Sequence, residues 1–321
     1  MVNAVTSPRI LVFLGAYQGA PFIAEQIGSI LKQSVSCDLV ISDDGSRDGS
    51  REYVQEIASM SASITLLEGP RQGFCNNFLS MFQLSDIDRY DYVAWSDQDD
   101  LWEPHHLARA IASLRSCRTP AAFGSRTRLI NSFGLTIGYS PVWKKPLCFQ
   151  NALVQSVAGG NTLVMNRQCV QWIQQCMARE NINSEQWVSH DWAVYLMLSL
   201  AGFPLIWDAV PTVYYRQHAT NVIGSNRGLF ARIERVMRLQ KGVFARWMQL
   251  HFLSLQQLTD AMLPVSRDAL HNLMDATSTR GVASFRAIER SGVYRQGFLD
   301  QRALEYAALL GLLMPKSAVT D

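Results

Sequence analysis

The 321-residue chain lacks any close cysteine pair. Cys37, Cys75, Cys117, Cys148, Cys169 and Cys176 form no C-x-x-C and no zinc-like spacing. They read as buried thiols of a reducing compartment, which excludes a disulfide framework. No uncharged apolar run reaches about 18 residues, so a spanning helix is not expected. Residues 1–9 have no basic start leading into an apolar core, so no signal peptide is expected either. A net charge of only +2 argues against bulk nucleic-acid binding. Neither G-x-G-x-x-G nor G-x-x-x-x-G-K-[ST] occurs, which removes both glycine-rich ways of cradling a phosphate. Internal repeats and low-complexity tracts are also missing.

What is present is a globular composition. With 48% hydrophobic and 17% charged residues, the chain can build one large domain with an appendage, or two modest domains. Residues 90–95 are an apolar run that reads as a buried strand, and Ser96-Asp97-Gln98-Asp99-Asp100-Leu101-Trp102 follows it. Three carboxylates at one strand end raise each other's pKa, and a divalent cation relieves that cost. Hard oxygen ligands suit Mg²⁺ or Mn²⁺, which uses one or two carboxylates and takes the rest of its shell from water and phosphate. The other reading is an acidic loop capping the next helix, with Pro104 in its first turn.

A second acidic cluster strengthens the metal–diphosphate reading. Residues 38–42 read as a buried strand, and Asp43-Asp44-Gly45-Ser46 follows it. Two strands of one α/β sheet thus end in acidic residues, where open parallel sheets place their ligands. A carboxylate there can accept a hydrogen bond from a pyrimidine N3–H or from ribose hydroxyls. Strands at 10–14, 38–42, 64–67 and 90–95 alternate with helices opened by Pro21 and spanning 52–60 and 73–84. This alternation predicts a largely parallel sheet with helices on both faces. Further on, Gly159 and Gly160 permit close backbone approach to a ligand or an ordinary tight turn. Asp191 sits at a helix N-terminus, where a carboxylate is electrostatically favoured with or without a catalytic role. A strand starting at Pro211 ends in Tyr214-Tyr215-Arg216-Gln217-His218, with Asn221 and Gly224 beyond. Arg216 can face a phosphate and His218 can bind metal.

Together these motifs, over residues 9–224, resemble the inverting family 2 glycosyltransferases of GT-A fold. They are nearest to a bacterial rhamnosyltransferase-like group with S-D-Q-D-D-[IL]-W, H-D-W and Y-R-Q-H-x-x-N segments. The resemblance implies an α/β nucleotide-diphospho-sugar transferase fold, a mostly parallel mixed sheet with helices on both faces, plus an α-helical C-terminal region. It implies that Tyr17 borders the base, in a turn that reads Ala16-Tyr17-Gln18-Gly19 where the family has T-Y-N-G. Asp43 and Asp44 match the base- and ribose-holding turn, and Gly73 and Asn77 match the G-x-x-x-N helix start. Asp97 and Asp99 match the D-x-D motif. Asp99 is then the direct ligand of Mg²⁺ or Mn²⁺, Asp97 and His218 complete the metal shell, and Asp97 and Arg216 join the donor site. Gly159 and Gly160 fall on the acceptor side; Asp100 belongs to the acidic cluster, behind the metal ligands or on the acceptor side, and Trp102 and Trp192, beside the two motifs, either stack on acceptor-side sugar rings or fill the core. Asp191 becomes the general base. The implied partners are a nucleoside-diphosphate sugar, with rhamnose as the sugar suggested by the group, and a glycan or lipid-linked glycan of bacterial surface polysaccharide synthesis. The implied place is the cytoplasm, at or near the cytoplasmic face of the inner membrane.

A division at residue 224 is expected, with a catalytic domain over 1–224 and a helical region over 225–321. The latter carries 13 Lys and Arg against 8 Asp and Glu, a net +5 that leaves −3 for the rest. Phe230, Ile233, Met237, Val243, Phe244, Trp247 and Met248 approximate one helix face, beside Arg232, Arg235, Arg238, Lys241 and Arg246. Such a helix either lies on an anionic membrane or packs on the protein with a solvated basic face. Two other classes stay open: a sugar-nucleotide pyrophosphorylase, disfavoured because residues 10–20 lack a glycine-rich basic loop, and a non-catalytic nucleotide-sugar-binding protein.

Overall fold

The computed structural model describes residues 7–84, 86–179, 182, 184–218 and 242–314. Strand β1 (Ile10–Ala16) is buried on both faces, as an interior strand of a parallel sheet must be. Helix α1 (Ile23–Leu31), β2 (Asp38–Asp43), α2 (Ser50–Met60), β3 (Ile64–Glu68), α3 (Phe74–Ser80) and β4 (Tyr92–Asp97) follow in alternation. The expected elements are all there. The main departure is α3, which ends at Ser80 and tightens into a 3₁₀ turn over Met81–Gln83.

Beyond β4 come β5 (Leu101–Trp102), α4 (His106–Leu114), β6 (Ala122–Asn131), β7 (Thr136–Tyr139), α5 (Phe149–Ala152), β8 (Val164–Asn166), α6 (Arg167–Met177), α7 (His190–Leu200) and β9 (Leu205–Gln217). One nine-stranded sheet results, in the order β3-β2-β1-β4-β8-β6-β9-β5, with β7 paired to β6. Strands β3, β2, β1 and β4 are parallel, β8 runs antiparallel to both β4 and β6, and β9 is parallel to β6. The sheet is therefore mixed, as expected. One core layer joins Ile10, Val12 and Leu14 of β1 to Ile23, Ile27 and Ile30 of α1 and to Trp102 and Leu107. On the sheet's other face Phe78 packs on Phe13 and Trp95, with ring centroids 5.9 and 5.5 Å apart. A Cβ at Gly15 would lie 2.8 Å from the Phe78 ring, so this packing needs glycine there.

The chain forms two compact units, and they do not divide by a single cut at residue 224. The sheet unit comprises Met1–Pro141, Ala158–Gln175 and Leu205–Asn221; the second takes Val142–Val157, Cys176–Pro204 and Val222–Asp321. Helix α7 explains the exchange, because it is apolar nearly all round and is buried at every position but Asp191. It packs on α5, Tyr195 Oη donating to Asn151 Oδ1 at 3.0 Å, in a unit that also holds α8 (Val243–Gln256), α9 (Pro264–Ser278), α10 (Val282–Ser291) and α11 (Phe298–Leu309). Trp192 meets His251 edge-on at 4.6 Å, and Leu263 N–H donates to Leu200 C=O at 3.0 Å. No helix among the described residues is long and apolar enough to cross a membrane. Of the basic amphipathic stretch, Val243, Phe244, Arg246, Trp247 and Met248 fall on α8. Phe244 and Met248 are buried there and Arg246 is exposed. Phe230, Arg232, Ile233, Arg235, Met237, Arg238 and Lys241, like Asn221 and Gly224, lie outside the described residues. In the last apolar stretch, Leu304, Ala307, Ala308 and Leu313 are buried within the second unit.

Candidate active site

Register brings the two acidic strand ends together. Gly15 stands opposite Asp97 on one side of β1, and Ala16 opposite Asp43 on the other. The order β2-β1-β4 makes β1 the point where the sheet changes winding direction, which opens a crevice at the strands' carboxyl ends.

The turn after β1 is held from outside. Four successive N–H groups donate to side chains of other loops: Tyr17 to Gln98 Oε1 (2.8 Å), Gln18 to Ser46 Oγ (2.9 Å), Gly19 to Ser50 Oγ (2.9 Å) and Ala20 to Asp48 Oδ2 (3.0 Å). Gln18 sits at φ +52°, a left-handed conformation that such contacts help to maintain. Burial raises the Asp48 pKa, but hydrogen bonds from Ser50 and Ala20 outweigh it, and the carboxyl ends below its ordinary range. The Tyr17 ring is 58% exposed, so a flat group can stack on it.

Asp43 and Asp44 divide the labour in the second loop. Asp43 Oδ1 accepts from Gly45 and Ser46 N–H at 3.1 and 2.9 Å and closes the turn. Its Oδ2 is buried with no hydrogen-bond partner among the described residues, which is costly unless a ligand donates to it. Asp44 instead grips the chain ahead of α3, accepting from Arg71 N–H at 2.5 Å and Gly73 N–H at 2.8 Å. Gly73 adopts φ +87°, which makes glycine the residue of choice before α3. Asn77, expected on the donor, is buried inside the fold. It donates to Ser42 C=O at 3.0 Å and accepts from Ser42 Oγ at 2.5 Å, tying α3 to β2.

In the Asp97–Asp100 loop Asp99 and Asp100 take different partners. Asp99 Oδ2 meets His218 Nε2 at 2.7 Å, and His218 stacks on Phe22 with centroids 5.1 Å apart. Asp100 turns inward, is fully buried, and accepts from Arg216 N–H at 3.0 Å and from Asn161 Nδ2. Burial, with Asp99 and Asp97 beside it, pushes its carboxyl well above the usual range. This corrects the placing of Asp100 on an acceptor surface. Arg216 is corrected likewise, since its guanidinium stays inside the fold. Nε donates to Asp99 C=O (2.9 Å), Nη1 to Ser132 C=O (3.1 Å) and Nη2 to Glu25 (2.6 Å), over the Phe22 ring at 4.7 Å.

Among the described residues no three His, Cys, Asp or Glu side chains converge as a ready-made metal cage. The donor set still fits a hard divalent ion. Asp99 and His218 offer an oxygen and a nitrogen side by side with Asp97 two residues away, and such ions draw their remaining ligands from phosphate and water.

The acceptor-side residues separate. Trp102 is 4% exposed and lies in the core against His106, with centroids 4.5 Å apart. Gly159 precedes the 3₁₀ turn Gly160–Thr162, where a Cβ on Gly159 would sit 2.6 Å from Asn161 Oδ1. Glycine at 159 thus leaves room for the Asn161 amide that reaches Asp100. Asp191 and Trp192 belong to the second unit. Trp192 is core, its Nε1 donating to Ala152 C=O at 2.6 Å. Asp191, half-buried in the first turn of α7, accepts from Ser156 Oγ at 2.9 Å. Burial depresses the neighbouring His190 to about 4 despite the opposing charge of Asp191.

Two functional side chains escaped sequence reasoning: Gln98, which clamps Tyr17, and Asn161, which fixes Asp100. The signal for Gln98 was an amide between two carboxylates at a strand end.

Residues 11–155 match the family model described as glycosyl transferase family 2. The dTDP-rhamnosyl transferase RfbG of Shigella flexneri is 26% identical over 234 residues, 70% of this chain and 78% of that one. Among solved structures, TarS of S. aureus in complex with UDP-GlcNAc aligns with a TM-score of 0.51 at 13% identity, covering 88% of this chain and 89% of that one. The Pyrobaculum calidifontis mannosyltransferase PcManGT in complex with GDP-Man and Mn²⁺ aligns at 0.50 and 17% identity, covering 95% and 86%. Both structural likenesses are of fold.

Proposed function

We propose that this chain, whose residues 11–155 match the family 2 glycosyltransferases, moves rhamnose from a nucleoside diphosphate to a glycan or lipid-linked glycan acceptor, with inversion. One observation carries the reading. The exposed ring of Tyr17, the partnerless buried Oδ2 of Asp43 and the Asp99–His218 pair are grouped around the end of β1. They supply in turn a stacking face for a base, an acceptor for its N–H, and a carboxylate with an imidazole beside a diphosphate. The likeness to a rhamnosyl transferase over 70% of the chain supports the choice of sugar.

Asp99 and His218 would hold Mg²⁺ or Mn²⁺, with Asp97 as a further ligand. When bound, the ion neutralises charge developing on the departing diphosphate. The chain's own residues do the rest. Tyr17 and Asp43 hold the base, and Asp44 keeps the Arg71–Gly73 backbone in place. Asp191 takes the proton of the acceptor hydroxyl as that oxygen attacks the face of the sugar opposite the leaving group. A single displacement needs one carboxylate base, unlike the paired carboxylates of glycoside hydrolases. On this reading the acceptor is met at the cytoplasmic face of the inner membrane through peripheral contact.

The test is nucleoside diphosphate release from a panel of dTDP-, UDP- and GDP-sugars, with and without EDTA. Release from dTDP-rhamnose, abolished by chelator and restored by Mg²⁺ or Mn²⁺, is expected, with Asp99→Asn weakening both donor binding and rate. Full turnover in EDTA removes the metal assignment, and turnover of another donor alone removes rhamnose. Formation of a nucleoside triphosphate from donor and pyrophosphate would mark a pyrophosphorylase instead.

A further inference from the structure

One amide joins the two ends of the donor crevice. Gln98 lies between Asp97 and Asp99, yet its side chain leaves the acidic loop and pairs with both backbone groups of one residue across the crevice. Oε1 accepts from Tyr17 N–H at 2.8 Å and Nε2 donates to Tyr17 C=O at 2.7 Å. The other three side chains gripping this turn, Ser46, Asp48 and Ser50, come from the segment after β2. Gly19 makes room for the amide, because a Cβ there would sit 2.1 Å from Gln98 Oε1. The residue that faces the base and the loop that bears Asp97 and Asp99 therefore cannot shift independently while this pair of bonds is intact.

Resting on the donor-site reading above, we propose that Gln98 is a positioning residue that couples occupancy of the nucleobase subsite to cation affinity at the Asp97–Asp99 loop. A base stacked on Tyr17 restricts that residue's backbone. Through Gln98 the restriction reaches the residues on either side of it, whose carboxylates must converge on the ion. The ordering is then shared, so a second ligand binds a site already arranged by the first. Linkage is reciprocal: if the base tightens cation binding by some factor, the cation tightens base binding by the same factor.

A nucleoside without phosphates isolates this effect, since it cannot touch the metal. Mn²⁺ titrations of the full chain followed by electron paramagnetic resonance, with and without saturating thymidine or uridine, measure the coupling without turnover. In the parent protein the nucleoside should tighten Mn²⁺ binding by about fivefold or more, the lower end of ordinary site–site coupling. In Gln98→Ala the factor should fall to about one while Mn²⁺ still binds. Gly19→Ala, whose methyl group displaces the amide, should behave the same way. Gln98→Glu keeps an acceptor for Tyr17 N–H but loses the donor to Tyr17 C=O, and should fall between. Hydrogen exchange at the Tyr17 amide, read without any ligand, should quicken in Gln98→Ala and in Gly19→Ala with melting temperature nearly unchanged. Coupling that survives in Gln98→Ala, or is absent from the parent protein while Mn²⁺ and nucleoside each bind, overturns the proposal and leaves the donor-site reading intact. A parent protein that binds neither overturns both.

Discussion

Replacing Arg216 separates two roles that its position in a Tyr-Tyr-Arg-Gln-His run leaves open. If the guanidinium met the donor diphosphate, Arg216→Lys would weaken donor binding and leave the fold alone. The structure instead makes it a bolt joining α1, the acidic loop and the turn after β6. Its bonds to the carbonyls of Asp99 and Ser132 are charge-assisted, and each is worth about 1.5–3 kcal/mol. The bond to Glu25 counts for little, because that carboxylate is 60% exposed and its attraction is screened. Arg216 N–H also donates to the buried Asp100, but that bond belongs to the backbone and survives substitution. The total for Arg216→Met is therefore about 3–6 kcal/mol. At about 2–4 °C per kcal/mol for a domain of this size, the melting temperature should drop by about 6–24 °C. Arg216→Lys, which can replace one bond at most, should lose about half as much and serves if the methionine variant does not fold. The assay pairs calorimetry with binding of a nucleoside diphosphate to the folded fraction. A melting point within about 2 °C of the parent, together with a tenfold loss of diphosphate affinity, would refute the reasoning and return Arg216 to the phosphate.

Asp191→Asn should lower single-turnover transfer by about 10²- to 10⁴-fold with donor affinity nearly unchanged, the usual contribution of a positioned base. Undiminished turnover with a loss of about 0.5–2 kcal/mol in stability would make Asp191 a helix-end residue tied to Ser156. Acid sensitivity should follow from three buried histidines. Desolvation lowers His106 and His251 to about 3 and His190 to about 4, all beneath the ordinary 6.5. The fold therefore favours their neutral forms, so their contribution is complete above pH 6.5 and is lost as pH falls toward those depressed values. Each can steepen the loss by about 1.4 kcal/mol per pH unit. Urea midpoints at pH 7 and pH 5 should differ accordingly, with a smaller difference in His106→Gln; equal midpoints would show that these rings do not stay neutral.

The catalytic half of the fold was legible in the sequence because its signals are local. An apolar run of five or six residues, too short for a helix and set between helical periods, reads as a buried strand of a parallel sheet, and β1, β2, β3 and β4 bear that out. Acidic residues just past such strands must lie at one edge of the sheet, so Asp43, Asp97 and Asp99 were readable as a group before any contact was known. What the residues do with their hydrogen bonds was not readable. Asp43 and Asp44 are adjacent and chemically identical, yet one keeps an oxygen with no partner among the described residues and the other grips Arg71 and Gly73. That difference depends on where α3 begins. Trp102, Trp192, Asn77 and Arg216 looked like ligand-facing residues because stacking rings, amides and guanidinium groups recognise substrates as readily as they fill cores. Only packing decided between the two uses, and it put all four inside.

The division into units was likewise set by tertiary structure. Helix α7 precedes β9 in the chain, so a linear reading leaves it with the sheet. Being apolar on nearly every side it needs cover all round, and it finds cover on α5 and at residues such as His251 and Leu263, 50 and more positions further on. Sequence by itself determined which segments must be buried and where charge must gather. The three-dimensional fold alone decided which neighbour buries each segment, because hydrophobic burial is non-directional and leaves the choice of partner to shape.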